Sequence, residues 1–499
     1  MMKKSSLTIS MFALLGAAWA GASWYTGKII EEKMPALTDN INHKISSYLP
    51  RQDIKFTYQD YHRGIFSTKV RYVLQLNQDK TAEKIIFIET IDHGPFPISQ
   101  IKKGYLLPVM ASVHSTLENT PVLEKIFTAN QGESPLSADS RVSYFGNHTS
   151  VIHFSPINYE YQDTRLTFSG GMMTAHLSND MNNADFTAQS DAFTFITQND
   201  LKQTETLNLK GLTLSSVNHM GKFGVFLGEE KIAFKEILFN VNDKNNINLN
   251  GIEFYHKTNE LDHALNTELN YSLDDLNIDG NDFGSGKLFV SLEGIDGQTI
   301  KHFMEMIKNK TIKSLKAENN DEFLNTDQKD IIKNIWQAAL KGNAVLKIEP
   351  LSWKNSQGEG TFNLQAQMKI PESTTTDPQN LSLASGIKKI DARLNIPVVM
   401  LKELMTQISI LQGNSQEESQ KLADQQVQSL AKLGKLLKFT TLENDIIGSQ
   451  FYFENHQIDL NGQKFSSQSF SELFNMAGLL NSEQQTAPEI PSTITPANP

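Results

Sequence analysis

The chain has 499 residues, a net charge of −11 and no cysteine, which removes disulfides, thiolate metal sites and a lipid-modified cysteine from consideration. The acidic balance argues against nucleic acid as a partner, since phosphate binding needs concentrated positive charge. Aromatic residues make up 9%, including 28 Phe, too many for a disordered chain, and the length leads us to expect two or three packed units.

The first predicted element is an uncharged run, Leu7 to Tyr25, behind Lys3 and Lys4 and ahead of Lys28. Its roughly 19 residues come close to the ~20 that cross a hydrocarbon core as a helix. The lysines favour an N-terminus-inside orientation, and Trp19, Trp24 and Tyr25 suit the outer interface. The expectation is a transmembrane signal-anchor over 1–27 with an exported body. Ala18-Trp19-Ala20 fits the small-x-small cleavage rule and supplies the alternative of a removed signal. Over 28–50, Ile30, Met34, Leu37, Ile41 and Ile45 recur at three and four residues, which predicts a linker helix, or a kinked pair of short helices, awkward only at Pro35, whose stripe is available to the body or a partner.

From Ile54 the period changes to two. Phe56–Tyr61, Ser67–Leu76 and Lys84–Thr90 alternate apolar and polar residues, and the texture recurs at Ser143–Phe154, Ile157–Tyr161, Leu166–Leu177, Ala184–Ile196, Thr206–Leu214, Val225–Val241, Ile247–Tyr255, Leu265–Ile278 and Gly286–Leu292. Alternation bounded by polar turns predicts antiparallel strands with one wet face, a first β-rich region over 51–298. A helical insertion over 299–343 follows, with Ile300, Phe303, Met304 and Ile307 on one apolar face and Ile332, Ile335, Trp336, Ala339 and Leu340 on a second. A second β-rich region spans 344–480 and contains a helical hairpin over 397–438. Leu401, Leu404, Met405 and Ile408 mark its first helix. The capping box Ser415-Gln416-Glu417-Glu418 starts the second, with Leu422, Val427, Leu430, Leu433 and Leu437 inward. Ser469-Phe470-Ser471-Glu472 caps a short last helix, and the tail 481–499, with four prolines, reads as disordered.

The fold class expected is therefore α+β, mainly β with α insertions: an elongated, strongly twisted antiparallel meander sheet behind an N-terminal transmembrane helix. No strand-helix-strand rhythm or glycine-rich phosphate loop points to a nucleotide-binding core. An internal echo links Val151–Tyr159 and the following Leu166–Gly171 to Leu346–Trp353 and the following Gly358–Leu364. Each reads as a strand, a proline bend at Pro156 or Pro350, a short strand, a glycine turn and another strand. Leu276–Gly280 with Phe283–Leu292 has a related cadence. A duplicated β unit is one way to extend such a core.

Several stretches together resemble one family. Gly27-Lys28, Tyr61-His62-Arg63-Gly64-Ile65-Phe66-Ser67, Asp92-His93-Gly94-Pro95-Phe96-Pro97, Ile157-Asn158-Tyr159, Phe283-Gly284-Ser285-Gly286-Lys287-Leu288 and Pro350-Leu351-Ser352-Trp353-Lys354-Asn355-Ser356-Gln357-Gly358-Glu359 are similar, in this order, to the YdgA-type proteins of Gram-negative bacteria. The resemblance covers nearly the whole chain. It implies an inner-membrane or periplasmic location and carries over no catalytic residue.

The same stretches have a physical reading. Gly94, Pro95 and Pro97 make a rigid bend after a strand, with Phe96 as an apolar wedge. Tyr61, Gly64 and Phe66 surround a hairpin turn beside Arg63, which is placed to pair with an acid. Gly284, Gly286, Pro350, Trp353 and Gly358 are structural positions of the same kind. His93 beside Asp92 makes a poor catalytic pair, because adjacent strand residues point to opposite faces, and no Gly-x-Ser-x-Gly motif is present. The twelve histidines are scattered, without a His-Glu-x-x-His. Asn242–Asn245 and Asp274–Gly280 lack the terminal glutamate of a calcium loop and read as Asx turns. No cofactor is expected. The function expected is a membrane-anchored, non-enzymatic envelope protein binding lipid or another envelope component, with the inner membrane, a lipid ligand or a homodimer mate as partners. The alternatives are an envelope hydrolase with a non-obvious site and a homo-oligomeric structural protein.

Overall fold

A computed structural model describes residues 2–48, 54–76, 83–242, 244–314, 333–370, 386–455, 457–466 and 469. The chain divides into two compact units, Met1–Gly342 and Asn343–Pro499. Most of the predicted final helix and the tail 481–499 lie outside the described residues.

The first unit opens with one helix, α1 (Met2–Tyr48), where two segments were expected. Pro35 lies on its exposed side, where the carbonyl it leaves unpaired can meet water. An antiparallel meander follows: β1 (Ile54–Arg63), β2 (Ser67–Leu76), β3 (Glu83–His93), β4 (Ala111–Leu117), β5 (Leu136–Val142) and β6 (His148–Phe154) pair in succession. Short helices α2 (Ile98–Lys102) and α3 (Glu124–Ala129) flank β4. Next, β6 and β7 (Ile157–Tyr161) pair with β9 (Gly171–Leu177) and β8 (Thr164–Phe168) as one interrupted hairpin. Both β8 and β9 then pair with β10 (Asn183–Gln198). From β10 the meander runs through β11 (Thr204–Met220), β12 (Phe226–Val241), β13 (Lys244–Leu261), β14 (Ala264–Ile278) and β15 (Asn281–Asp296). The unit closes with α4 (Gly297–Ser314) and the helical residues 333–342, α5.

Among the described residues of this unit, two apolar cores stand out. Between α1 and the strands β2–β5, Met34 packs with Val70, Tyr72, Ile91 and Ala111. At one end of the long strands, Phe223, Leu227, Leu265 and Ile295 pack against Ile300 of α4 and Ala338 of α5. Of the predicted α5 face, Ala339 and Leu340 are buried and Ile335 is exposed. At the turns read as Asx turns, Asn242 and Asp279 take positive φ, but their side chains bond across to neighbouring strand ends, accepting from Thr204 N and Asn246 N.

The second unit is a smaller antiparallel sheet of β16 (Val345–Asn355), β17 (Gly358–Met368), β18 (Ile387–Pro397) and β20 (Ile446–Glu454). On the far side of β20 lie β19 (Thr441–Glu443) and β21 (Gln457–Leu460), the latter followed by β22 (Gln463–Ser466). Helices α6 (Val398–Leu411) and α7 (Gln416–Leu436) form the hairpin, and Ser415 caps α7 by accepting from Glu418 N. The inward face of α7 is Ser419, Ala423, Val427 and Ala431, while Leu430 and Leu433 are about half exposed. Small residues let α7 approach closely, which displaces the leucine stripe expected to face in. The internal echo survives as a local likeness. Both hairpins break their pairing at the proline, after Phe154 and Ile348, and resume at Ile157 and Leu351.

The transmembrane helix of the expected fold class is corrected. Among the described residues no helix is long and apolar enough to cross a membrane. The physical reason is where α1 sits: Trp19 packs on Phe66, and Ser23, Thr26 and Gly27 are buried. That packing takes the run from Trp19 onward out of the ~20 residues a span requires. The membrane anchor, the inner membrane as partner and the single-span inner-membrane location rested on that span and are withdrawn with it. So are the tethered lipid-handling, envelope-hydrolase and homo-oligomer readings.

Candidate functional site

The motifs nearest the N-terminus converge on one place, the seat of α1. Its body-facing stripe is Trp19, Ser23, Thr26, Gly27, Ile30 and Met34, at helical spacing and small in the middle. That narrow middle rests on His93, which is 1% exposed: a Cβ added to Gly27 would lie 2.4 Å from His93 Cε1. His93 Nδ1 donates to Ile65 O at 3.1 Å, which leaves Nε2 to accept from Thr68 Oγ1 at 2.8 Å. Burial lowers its pKa, partly opposed by the bond to Ile65. Asp92 turns to the other face and accepts from Ser99 N, so the two are no catalytic pair.

The remaining motif residues build the same seat. Gly64 N donates to Ser67 O in the β1–β2 turn, and the Phe66 ring that follows lies tilted against Trp19, centroids 5.0 Å apart. Gly94 N donates to Met110 O, and a Cβ there would collide with Val109 O. Pro95 accepts from Val109 N, and Pro97, fully buried, starts α2. Phe96 is not the expected wedge: its ring is 39% exposed, and its carbonyl accepts from Trp19 Nε1 at 3.2 Å. Arg63 meets its acid on α1, Glu31, at 2.7 Å, and lies over the Trp24 ring. Half-buried Tyr61 packs against the core, which raises its pKa. Farther along, Asn42 of α1 holds both the N–H and the C=O of Phe56, at 2.7 and 2.8 Å, and so covers the outer edge of β1.

Beside this seat α1 and the sheet part into a groove of about 690 Å³. Ile30, Met34 and Leu37 form its helix wall, while Tyr72, Ile91 and Val113 belong to its sheet wall. Glu89 lies among them. It stands on β3 between Val70 of β2 and Ser115 of β4, on the side that carries Tyr72 and Ile91. Burial pushes its carboxyl up to about 7, and the Ser115 hydroxyl, donating to it, opposes this in part. The same burial, with the nearby Glu89 charge, raises the Tyr72 phenol. Tyr72 donates to Met34 Sδ at 3.4 Å. His148, also on the lining, is held below its usual pKa by burial. No sequence motif marked Glu89 or the groove. Among the described residues no group of three or more His, Asp or Glu is placed to hold a metal.

With this geometry in place, the comparisons decide the lineage. The model of a family described as a bacterial protein of unknown function, DUF945, matches residues 2–468. The chain belongs to this family. Protein YdgA of Escherichia coli K12 is 33% identical over 492 residues, 96% of this chain and 98% of that protein. YihF of the same organism is 23% identical over 490 residues, covering 94% and 98%. A Haemophilus influenzae protein is 21% identical over 329 residues, covering 61% of this chain and 86% of that one. No solved structure matches the chain.

The other motif positions of this DUF945 chain are structural in the same sense. Pro350 interrupts the β16–β17 register, and Asn355 Nδ2 donates to Met400 O at 2.9 Å. Gly358, at φ +153°, would carry a Cβ within 3.6 Å of Pro397 and Met400. Trp353 lies on β16 opposite Gly360. This loop thus seats the start of α6 as the His93 region seats α1. In β15, Gly284 takes φ +92° where the β14 pairing shifts, Gly286 faces Leu273, and Phe283 beside them is buried.

Proposed function

We propose that this chain is a non-catalytic binding protein and that its site is the groove between α1 and the strands β2–β5. The observation that carries the reading is the groove's composition. Its volume suits a small molecule, its walls are more apolar than polar, and Glu89 is set into them among a few other polar groups, Asn40, Ser140 and His148 included. Binding is favoured over catalysis because the serine on the lining, Ser140, bonds Ser150 and not Glu89. The Ser115 hydroxyl is committed to that carboxyl, and Ser115 is not part of the lining. A displaced proton needs a partner group within reach to become chemistry.

The test is a screen of small apolar-bodied compounds by native mass spectrometry on the full chain, repeated on Leu37→Trp. Leu37 is 44% exposed at the groove wall, so a larger ring can be added without rebuilding a core. We expect saturable one-to-one binding that Leu37→Trp weakens at least tenfold. Binding untouched by that substitution, or no binding by any compound, overturns the reading.

A further inference from the structure

We propose that the groove selects small amines, molecules with an apolar body and one protonated nitrogen that pairs with Glu89. The inference rests on the groove being a binding site and names the ligand class. Glu89 shares its face of the sheet with Val70, Tyr72, Ile91 and Val113, surroundings that offer a carboxylate little solvation. A carboxylate in such a wall is costly unless a cation meets it.

Among the described residues no cation is paired with it. From β2 the group nearest in kind is the Tyr72 phenol, and from β4 the Ser115 hydroxyl. From β5, Ser140 bonds Ser150, and from β6, His148 has its pKa lowered by burial. Of the lining residues on α1 only Lys33 is ionisable. It is exposed, and among the described residues no ion pair joins it to Glu89. A ligand ammonium is the charge this site lacks. An anionic ligand would face Glu89 unscreened, and a neutral one would gain only the apolar walls.

Charge pairing fixes the pH dependence. An alkylamine stays protonated to pH 9, so pairing requires Glu89 to have given up its proton. Affinity should therefore fall about tenfold for each pH unit below 7 and level off above it. The experiment is calorimetric titration of the full chain with 4-phenylbutylamine, 4-phenylbutanol and 4-phenylbutyrate at pH 6 and pH 8. We expect the amine to bind about tenfold more tightly at pH 8 than at pH 6, releasing close to one proton at pH 6, while the alcohol binds equally at both. In Glu89→Gln the amine preference and its pH dependence should vanish while the alcohol still binds, which separates Glu89 from His148. Amine and alcohol binding alike at both pH values, or a pH dependence that survives Glu89→Gln, overturns the amine proposal and leaves the binding reading standing. Failure of all three probes overturns both.

Discussion

Glu89 sets a cost in the fold that depends on pH. The unfolded carboxyl loses its proton near 4.5, whereas the folded one keeps it to about 7. Between those values the folded chain holds the extra proton, so stability falls as pH rises through the window, and the full cost is present above 7. The shift corresponds to about 3 kcal/mol at most, and partial solvent access reduces that to on the order of 1–2 kcal/mol. Glu89→Gln, a neutral isostere, is expected to raise the urea midpoint at pH 8 and change it little at pH 4.5. Equal effects at both pH values would show that burial does not hold the carboxyl up. The sequence could not have singled this residue out. Ile85, Phe87 and Glu89 alternate with Ile86, Ile88 and Thr90, so both sides of the strand are apolar, and the pattern does not say which side an uncharted helix will cover.

The helix that covers it is the element the sequence described least well. An alanine- and glycine-rich apolar run has the composition of a span, and the same small residues are what allow a helix to lie close on a sheet. Composition cannot separate the two; the contacts of Trp19, Ser23 and Gly27 do. The neighbouring motifs were legible as rigid turns, and the structure adds that they act together as the seat of α1. Strands β4 and β5 went unread because Ser112, Ser115, Ser137 and Ser140 interrupt their apolar pattern. Of the long strands, β11, β13 and β15 were cut short, and β11 shows another reason. In β11 the exposed position is Lys210 before Gly211 but Thr213, Ser215 and Val217 after it. A glycine at φ +63° reverses the alternation while the pairing continues. The close fit of α1 is testable by two glycines of one helix. Gly27→Ala would drive a methyl into the His93 ring and is expected to cost roughly 1–3 kcal/mol and speed amide exchange over residues 19–34. Gly21 has no atom within 4 Å of an added Cβ, so Gly21→Ala should be neutral or stabilise by about 0.5–1 kcal/mol. Similar effects from the two would mean that α1 does not rest on His93.

At the scale of the whole chain, each apolar core belongs to a single compact unit. Met34, Val70 and Tyr72 pack within the first, and Val427, Ala431 and Ile447 within the second. Because packing stabilises only the atoms it touches, a cavity should be felt first where its lining lies. Val70 is 2% and Val427 0% exposed, so truncation of either to Ala removes comparable buried area, worth about 2 kcal/mol. Hydrogen exchange measured peptide by peptide gives the readout. Val70→Ala is expected to speed exchange in β2, β3 and β4 and leave α6 and α7 near their original rates, and Val427→Ala to do the reverse. A chain of this length need not unfold in one step, and two separately responding sets of amides would establish that it does not. Should either substitution loosen both sets equally, the two units would form a single cooperative block, and the groove beside α1 would inherit the stability of the whole chain rather than that of its own core.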